Sequence, residues 1–159
     1  MDLTVVWTEP PRQMVCLEPC VDGVDHTLAQ HGFARNLPWQ LQLLDDQTGV
    51  RLSLSNTDAT LAAYPFAFLV EMEVRPVAMA LEISTTIHNR SDKPMPFSFG
   101  LHPYFNVSDL GQTRFTGLAE RCLNHLEMAD AATADQLGRL PDGVDFLCRP
   151  AGPVSLIDD

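Results

Sequence analysis

Positive charge is scarce in this chain of 159 residues, which has 10 basic against 21 acidic residues and a formal net charge of −11. A field of this sign repels nucleic-acid phosphates and anionic membrane surfaces, so we expect neither as a partner. Long apolar runs are also missing, and the first residues show no basic-then-apolar leader pattern. The sequence therefore indicates a cytoplasmic protein.

Motifs for metals and nucleotide cofactors are absent from the sequence as well. It has no phosphate-binding glycine loop, dinucleotide fingerprint or nucleophile elbow, and its histidines lack partners at ligand spacing. We expect no metal and no cofactor. Without a secretory signal, we also expect reduced thiols for the four cysteines. These are Cys16, Cys20, Cys122 and Cys148.

Alternation of apolar and polar residues with a period of two dominates the chain and predicts β-strands. One short helix is expected over 57–64, before Pro65, and residues 125–140 are interpreted as a loop that could contain a turn. Strands at roughly 8–12-residue spacing indicate an all-β fold, an antiparallel β-sandwich or barrel, in a single domain over 1–159. The predicted strands are 3–7, 14–18, 39–44, 50–55, 66–74, 79–89, 97–105, 114–118, 144–148 and 154–158.

Two strand ends carry candidate acid–base groups. His102 lies in "GLHPYFNVSD", where Pro103 disfavours helical backbone and so indicates an extended residue at a strand end. Strand ends followed by loops often carry catalytic groups, although His102 could equally be packed among its aromatic neighbours. Glu18 ends the apolar strand "MVCLE" and is either solvated at the rim or directed into a cavity.

The stretch "LAQHGFARNLPWQL", residues 28–41, adds two further candidates. His31 could be a ligand, an acid or base, or a core side chain. Arg35 could hold a carboxylate, a phosphate or a sugar hydroxyl with its planar guanidinium, or bond loop carbonyls. Asp145, in "GVDFLC", is interpreted as a surface acid at a strand start. Together these residues indicate acid–base chemistry on a polar small molecule, or binding without chemistry.

Three segments taken together resemble the aldose 1-epimerase (mutarotase) superfamily, nearest its hexose-6-phosphate 1-epimerase branch. They are "VVWTEPPRQMVCLEP", "HGFARNLPWQL" and "FSFGLHPYFNVSD". The resemblance implies a galactose mutarotase-like antiparallel β-sandwich. It also implies a sugar or sugar phosphate as ligand, with its α and β anomers interconverted by acid–base ring opening without a cofactor.

The same resemblance implies a role for each candidate. His102 becomes the general acid and Glu18 the general base, and His31 becomes a histidine that binds and polarises the substrate. Arg35 and Asp145 become contacts to the sugar or its phosphate. In this interpretation "HGFAR" forms the lip of a sugar pocket, whose polar groups and aromatic ring suit a ligand with hydroxyl edges and C–H faces.

The order of the segments differs from that of the family, in which the strand with the catalytic glutamate lies near the C-terminus. The expectation is a circularly permuted and shortened chain of engineered origin, with 1–19 as the family's C-terminal strand pair, 20–27 as a joining loop and 28–159 as the central part. Family strands without a counterpart would leave exposed sheet edges, which favour a homodimer. The absence of these family strands also leaves an alternative function open, namely that of a non-catalytic carbohydrate-binding or scaffold domain.

Overall fold

A computed structural model of the chain describes residues 4–7, 14–18 and 32–158. Every strand pair in this part of the chain is antiparallel, which confirms the all-β fold class. The strands are β1 (Thr4–Trp7), β2 (Met14–Glu18), β3 (Gln40–Leu43), β4 (Val50–Ser55), β5 (Phe68–Val77), β6 (Ala80–Asn89), β7 (Ser98–His102), β8 (Arg114–Asn124), β9 (Ala129–Ala132) and β10 (Asp145–Ile157). The helices are α1 (Asp58–Ala63), α2 (Thr133–Leu137) and the 3-10 turns Ala34–Asn36 and Leu140–Asp142.

These elements form two compact units. The first unit contains one sheet in the order β1–β10–β8–β9, together with α2. The second unit contains the two-stranded β2–β7 ladder, the sheet β3–β4–β5–β6 and α1. Strands β1 and β2, although adjacent in the chain, thus pair with partners in different units.

The core of the second unit is built around β5, in which apolar and polar residues alternate. Phe68, Val70 and Met72 are buried on one face of the sheet, since successive side chains of a strand point to opposite faces. The other face is charged, and Arg51 Nη2 lies 2.6 Å from Glu73 Oε1 across β4 and β5. The buried cluster of this unit comprises Ala34, Leu54, Tyr64, Phe68 and Val70.

The first unit has its own buried cluster, formed by Cys122, Leu140, Val144, Phe146 and Cys148. Cys122 and Cys148 are partners in the β8–β10 ladder, and both are buried free thiols. The core of this unit therefore combines apolar side chains with two sulfur atoms that behave as small apolar groups.

Helix α1 confirms the helix predicted for 57–64. Thr57 caps its start, because its side chain accepts from the amide of Thr60 while the Thr60 hydroxyl bonds the Thr57 amide in return. Such reciprocal bonds satisfy amides that the first helical turn leaves open. The helix ends at Ala63, ahead of Pro65, which cannot extend the hydrogen-bonding pattern.

The prediction of a loop over 125–140 is wrong, since this stretch contains β9 and α2. Alanine is depleted in strands in general, yet β9 forms because it pairs with β8, with Ala132 opposite Arg121. Helix α2 keeps Thr133 and Gln136 buried, so tertiary packing outweighs its weak apolar pattern.

Other strand boundaries also need correction. The segments predicted as 144–148 and 154–158 form the single strand β10. The residues between them belong to the strand, and its pairing with β8 shifts in register on both sides of Pro150. The strand predicted over 114–118 continues to Asn124, and the one predicted over 97–105 ends at His102.

The connection between the predicted strands 66–74 and 79–89 also lies elsewhere, because β5 continues through Pro76 to Val77. The pairing of β4 with β5 ends at Val74, so at Pro76 strand β5 pairs with β6 alone among the described strands. Proline is tolerated there because it has no backbone amide to donate and the other side of the strand is unpaired. Ala78 then adopts a φ of 51° in the tight turn to β6.

None of the helices in the described part of the chain has the length and apolar character that crossing a membrane would require.

Candidate functional site

The β2–β7 ladder of the second unit places two predicted site residues at its opposite ends. Glu18, the last residue of β2, pairs with Ser98, and His102, the last residue of β7, pairs with Met14. Alternate positions of paired strands share a face, so positions 18 and 102 lie on the same face of the ladder. Their backbone positions are offset by roughly 14 Å along the strands, at about 3.4 Å per residue.

The middle of this face carries no side chain from β7, because Gly100 lies between Ser98 and His102. A Cβ atom built on Gly100 would meet none of the described residues within 4 Å. His102 is half-buried at the strand end, directly before Pro103. Within the described part of the chain, the space directly above Gly100 is therefore unfilled.

The "HGFAR" segment lies beside this ladder in the same unit. His31 is outside the described residues. Gly32 is buried with a φ of 64°, a left-handed conformation that is strained for residues with a Cβ. The 3-10 turn Ala34–Asn36 then lies against β2 and leaves the side chain of Arg35 exposed.

Two contacts fasten this segment to the core of the second unit. The ring of Phe33 stacks on that of Phe68, with 5.7 Å between centroids. Trp39 donates from Nε1 to the carbonyl oxygen of the fully buried Ala34 at 3.0 Å. Within the described part of "HGFAR", Gly32, Phe33 and Ala34 thus pack against the second unit, and Arg35 is exposed.

Tyr64 connects this segment to the chain that leads into β7. Its ring centroid lies 5.9 Å from that of Phe33, and its hydroxyl donates to the carbonyl oxygen of Pro96 at 2.7 Å. Burial raises the pKa of Tyr64 to about 12, so the hydroxyl remains a donor at neutral pH. Sequence reasoning missed Tyr64, because these contacts join positions that are distant in the chain.

Asp145 belongs to the first unit, at the start of β10. Its Oδ1 lies 3.2 Å from Nδ1 of His125, and both side chains are about one third exposed. The expected position at a strand start is confirmed, and the carboxylate is engaged with a histidine. Its assignment as a sugar contact stays a prediction.

Titratable groups elsewhere in the second unit are held in ion pairs on the charged face of its sheet. His88 Nε2 lies 2.9 Å from Glu71 Oε2, and the Arg51 side chain beside Glu73 holds the pKa of that carboxyl below its usual range. Among the described residues, no group of three or more histidine, cysteine or acidic side chains is arranged to hold a metal ion.

Comparison with known proteins gives a family match over most of the chain. The model of the aldose 1-epimerase family matches residues 13–137. A protein of Salmonella typhimurium named "Putative glucose-6-phosphate 1-epimerase" is 31% identical over 136 residues, which cover 83% of this chain and 45% of that protein. A protein of Escherichia coli with the same name matches to the same extent. The chain therefore spans less than half the length of these relatives.

Solved structures show the same fold. The Slr1438 protein of Synechocystis superposes with a TM-score of 0.68 at 24% identity, over 91% of this chain and 71% of that one. A galactose mutarotase related enzyme of Lactobacillus acidophilus gives a TM-score of 0.58 at 22% identity, over 83% of this chain and 42% of that one. These similarities confirm the mutarotase-like β-sandwich fold that the sequence predicted.

Proposed function

Because the chain belongs to the aldose 1-epimerase family, we propose that it interconverts the α and β anomers of a hexose or hexose 6-phosphate. The relatives named for glucose 6-phosphate support a sugar phosphate as the substrate class. The observation that carries the proposal is the position of Glu18 and His102 on one face of the β2–β7 ladder, with space at Gly100 between them that no described residue fills.

In the proposed mechanism, Glu18 acts as base and His102 as acid. The Glu18 carboxylate removes the proton from the anomeric hydroxyl while the protonated His102 imidazole gives a proton to the ring oxygen. The bond between the anomeric carbon and the ring oxygen breaks, and an open-chain aldehyde forms. The aldehyde rotates and closes with the opposite configuration, and each group returns to its first protonation state in the closing step.

The offset between the two positions suits a separate acid and base. The backbone positions of Glu18 and His102 lie about 14 Å apart along the strands, so a sugar ring fits between the two side chains and is within reach of both. A positioned acid and a positioned base each contribute about 10²–10⁴-fold to such a reaction. The reaction breaks and re-forms one C–O bond and moves protons without a net change of oxidation state, so it needs no redox cofactor.

Two of the remaining predicted residues bind the substrate in this proposal. His31 polarises the sugar, and the exposed Arg35 binds the phosphate of a hexose 6-phosphate through paired N–H donors. Asp145 belongs to the first unit, where its carboxylate faces His125, and its role as a sugar contact rests on the family resemblance alone. A local cation is required for an anionic substrate, since the chain as a whole carries a net charge of −11.

Polarimetry and exchange NMR of α-glucose and α-glucose 6-phosphate test the activity. We expect Glu18→Gln and His102→Asn each to lower the protein-dependent exchange rate by about 10²–10⁴-fold. Matched controls are His88→Asn and Glu82→Gln on β6, which leave the β2–β7 ladder untouched. Arg35→Gln should raise the KM for the phosphate by about tenfold or more and leave that for glucose unchanged.

An exchange rate that is the same with and without the wild-type protein would overturn the proposed catalysis. Sugar binding by calorimetry without acceleration would instead assign the chain to the alternative class, a non-catalytic carbohydrate-binding domain. The alternative has one observation in its favour, namely that the chain spans 45% of the length of its curated relatives.

A further inference from the structure

Gly100 occupies the centre of the ladder face that carries positions 18 and 102. It pairs with Cys16 and lies two residues before His102 in β7, so it shares the face of both predicted catalytic positions. Glycine in the interior of a strand weakens the strand, and it often marks a place where a ligand or another chain segment comes close to the backbone.

Neither backbone conformation nor packing within the described chain requires glycine at this position. Gly49 and Gly117 show the contrast, since a Cβ there would lie 2.4 Å from the carbonyl oxygen of Val74 and 2.1 Å from that of Pro153. At Gly100 a Cβ meets no atom of the described residues within 4 Å, and its φ lies outside the left-handed region. The described part of the chain therefore leaves the space directly above Gly100 unfilled.

We propose that Gly100 is a specificity-determining residue that forms the floor of the sugar site, where one C–H face of a pyranose ring lies against bare backbone. This inference rests on the proposed function and adds the surface on which the substrate lies. A ring seated there lies between the Glu18 and His102 positions, so any side chain at position 100 takes up volume that the ring needs.

The test compares Gly100→Ala and Gly100→Leu with wild type, because a Cβ at this position meets no described residue within 4 Å. We expect the melting temperature to be retained while the Kd and KM for glucose 6-phosphate rise by about tenfold for alanine and further for leucine. The kcat of the alanine variant should change less than its KM. Gly152→Ala and Gly152→Leu are matched controls, since a Cβ at Gly152 in β10 also meets nothing within 4 Å.

Binding of glucose 6-phosphate, followed by amide NMR, separates this inference from the proposed function. If wild type binds the sugar without accelerating exchange and Gly100→Leu abolishes binding, the floor assignment stands and the catalytic proposal fails. If Gly100→Leu binds and turns over the sugar as wild type does, the floor assignment is overturned while catalysis stands. If wild type neither binds nor accelerates, both are overturned.

Discussion

Replacement of Tyr64 by phenylalanine tests how the "HGFAR" segment and the approach to β7 are held together. The substitution keeps the ring beside Phe33 and removes the hydroxyl that donates to the Pro96 carbonyl at 2.7 Å. At neutral pH the lost hydrogen bond should cost about 1 kcal/mol in the free energy of unfolding. Urea unfolding followed by circular dichroism measures that cost.

The difference in the free energy of unfolding between wild type and Tyr64→Phe should also depend on pH, because only wild type has the buried hydroxyl that can ionise. The pKa of Tyr64 is raised from 10.0 to about 12 in the folded chain, so its protonated form stabilises the fold fully below pH 10. That contribution is lost as the pH rises from about 10 to about 12. Since burial of Tyr64 is the cause of the raised pKa and each pKa unit corresponds to about 1.4 kcal/mol, wild type should lose on the order of 1–3 kcal/mol relative to Tyr64→Phe over this range.

Tyrosinate absorbance provides an independent check, because the chain has 2 tyrosines and the variant retains only Tyr104. The difference between the titrations of the two proteins gives the pKa of Tyr64 directly. Ionisation of Tyr64 near pH 10, or parallel losses of stability in both proteins up to about pH 12, would refute the reasoning from burial.

Two further predictions concern other parts of the fold. The amide of Thr48 and the guanidinium of Arg75 lower the pKa of Asp46 to about 2. Asp46→Asn should therefore lower the free energy of unfolding above about pH 4, and by progressively less as the pH falls towards 2. Urea titrations that give the same difference in stability between wild type and variant at every pH would contradict this. Cys122 and Cys148 are buried free thiols, and alkylation mapped by mass spectrometry should reach them only in denaturant. Rapid labelling of the native protein would argue against their burial.

Most strands could be predicted from the sequence because local alternation determines them. The strands predicted at 14–18 and 50–55 have the observed boundaries. Pairing between strands was beyond such reasoning, since β1 finds its partner in β10 and β2 finds its partner in β7. Strand β9 was missed for the same reason, because its alanines form a strand only where β8 offers free backbone groups.

The candidate site shows the same division between local and tertiary information. The resemblance to the family supplied Glu18 and His102, and the ladder register then placed both positions on one face. Gly100 carries a sequence signal, since it interrupts the alternating strand "FSFGLH", but only the structure shows the space above it. The circular permutation, engineered origin and homodimer stay predictions, and so does the role of His31, which lies outside the described residues.

The long-range pairing of β2 with β7 has a consequence for how the proposed site forms. Strands β3 to β6 pair with their neighbours in the chain, whereas the β2–β7 ladder closes a loop that contains this whole sheet and therefore costs more loop-closure entropy. We expect positions 18 and 102 to come together late in refolding, after most secondary structure has returned. Under the proposed function, recovery of anomer exchange should then lag behind recovery of the circular dichroism signal.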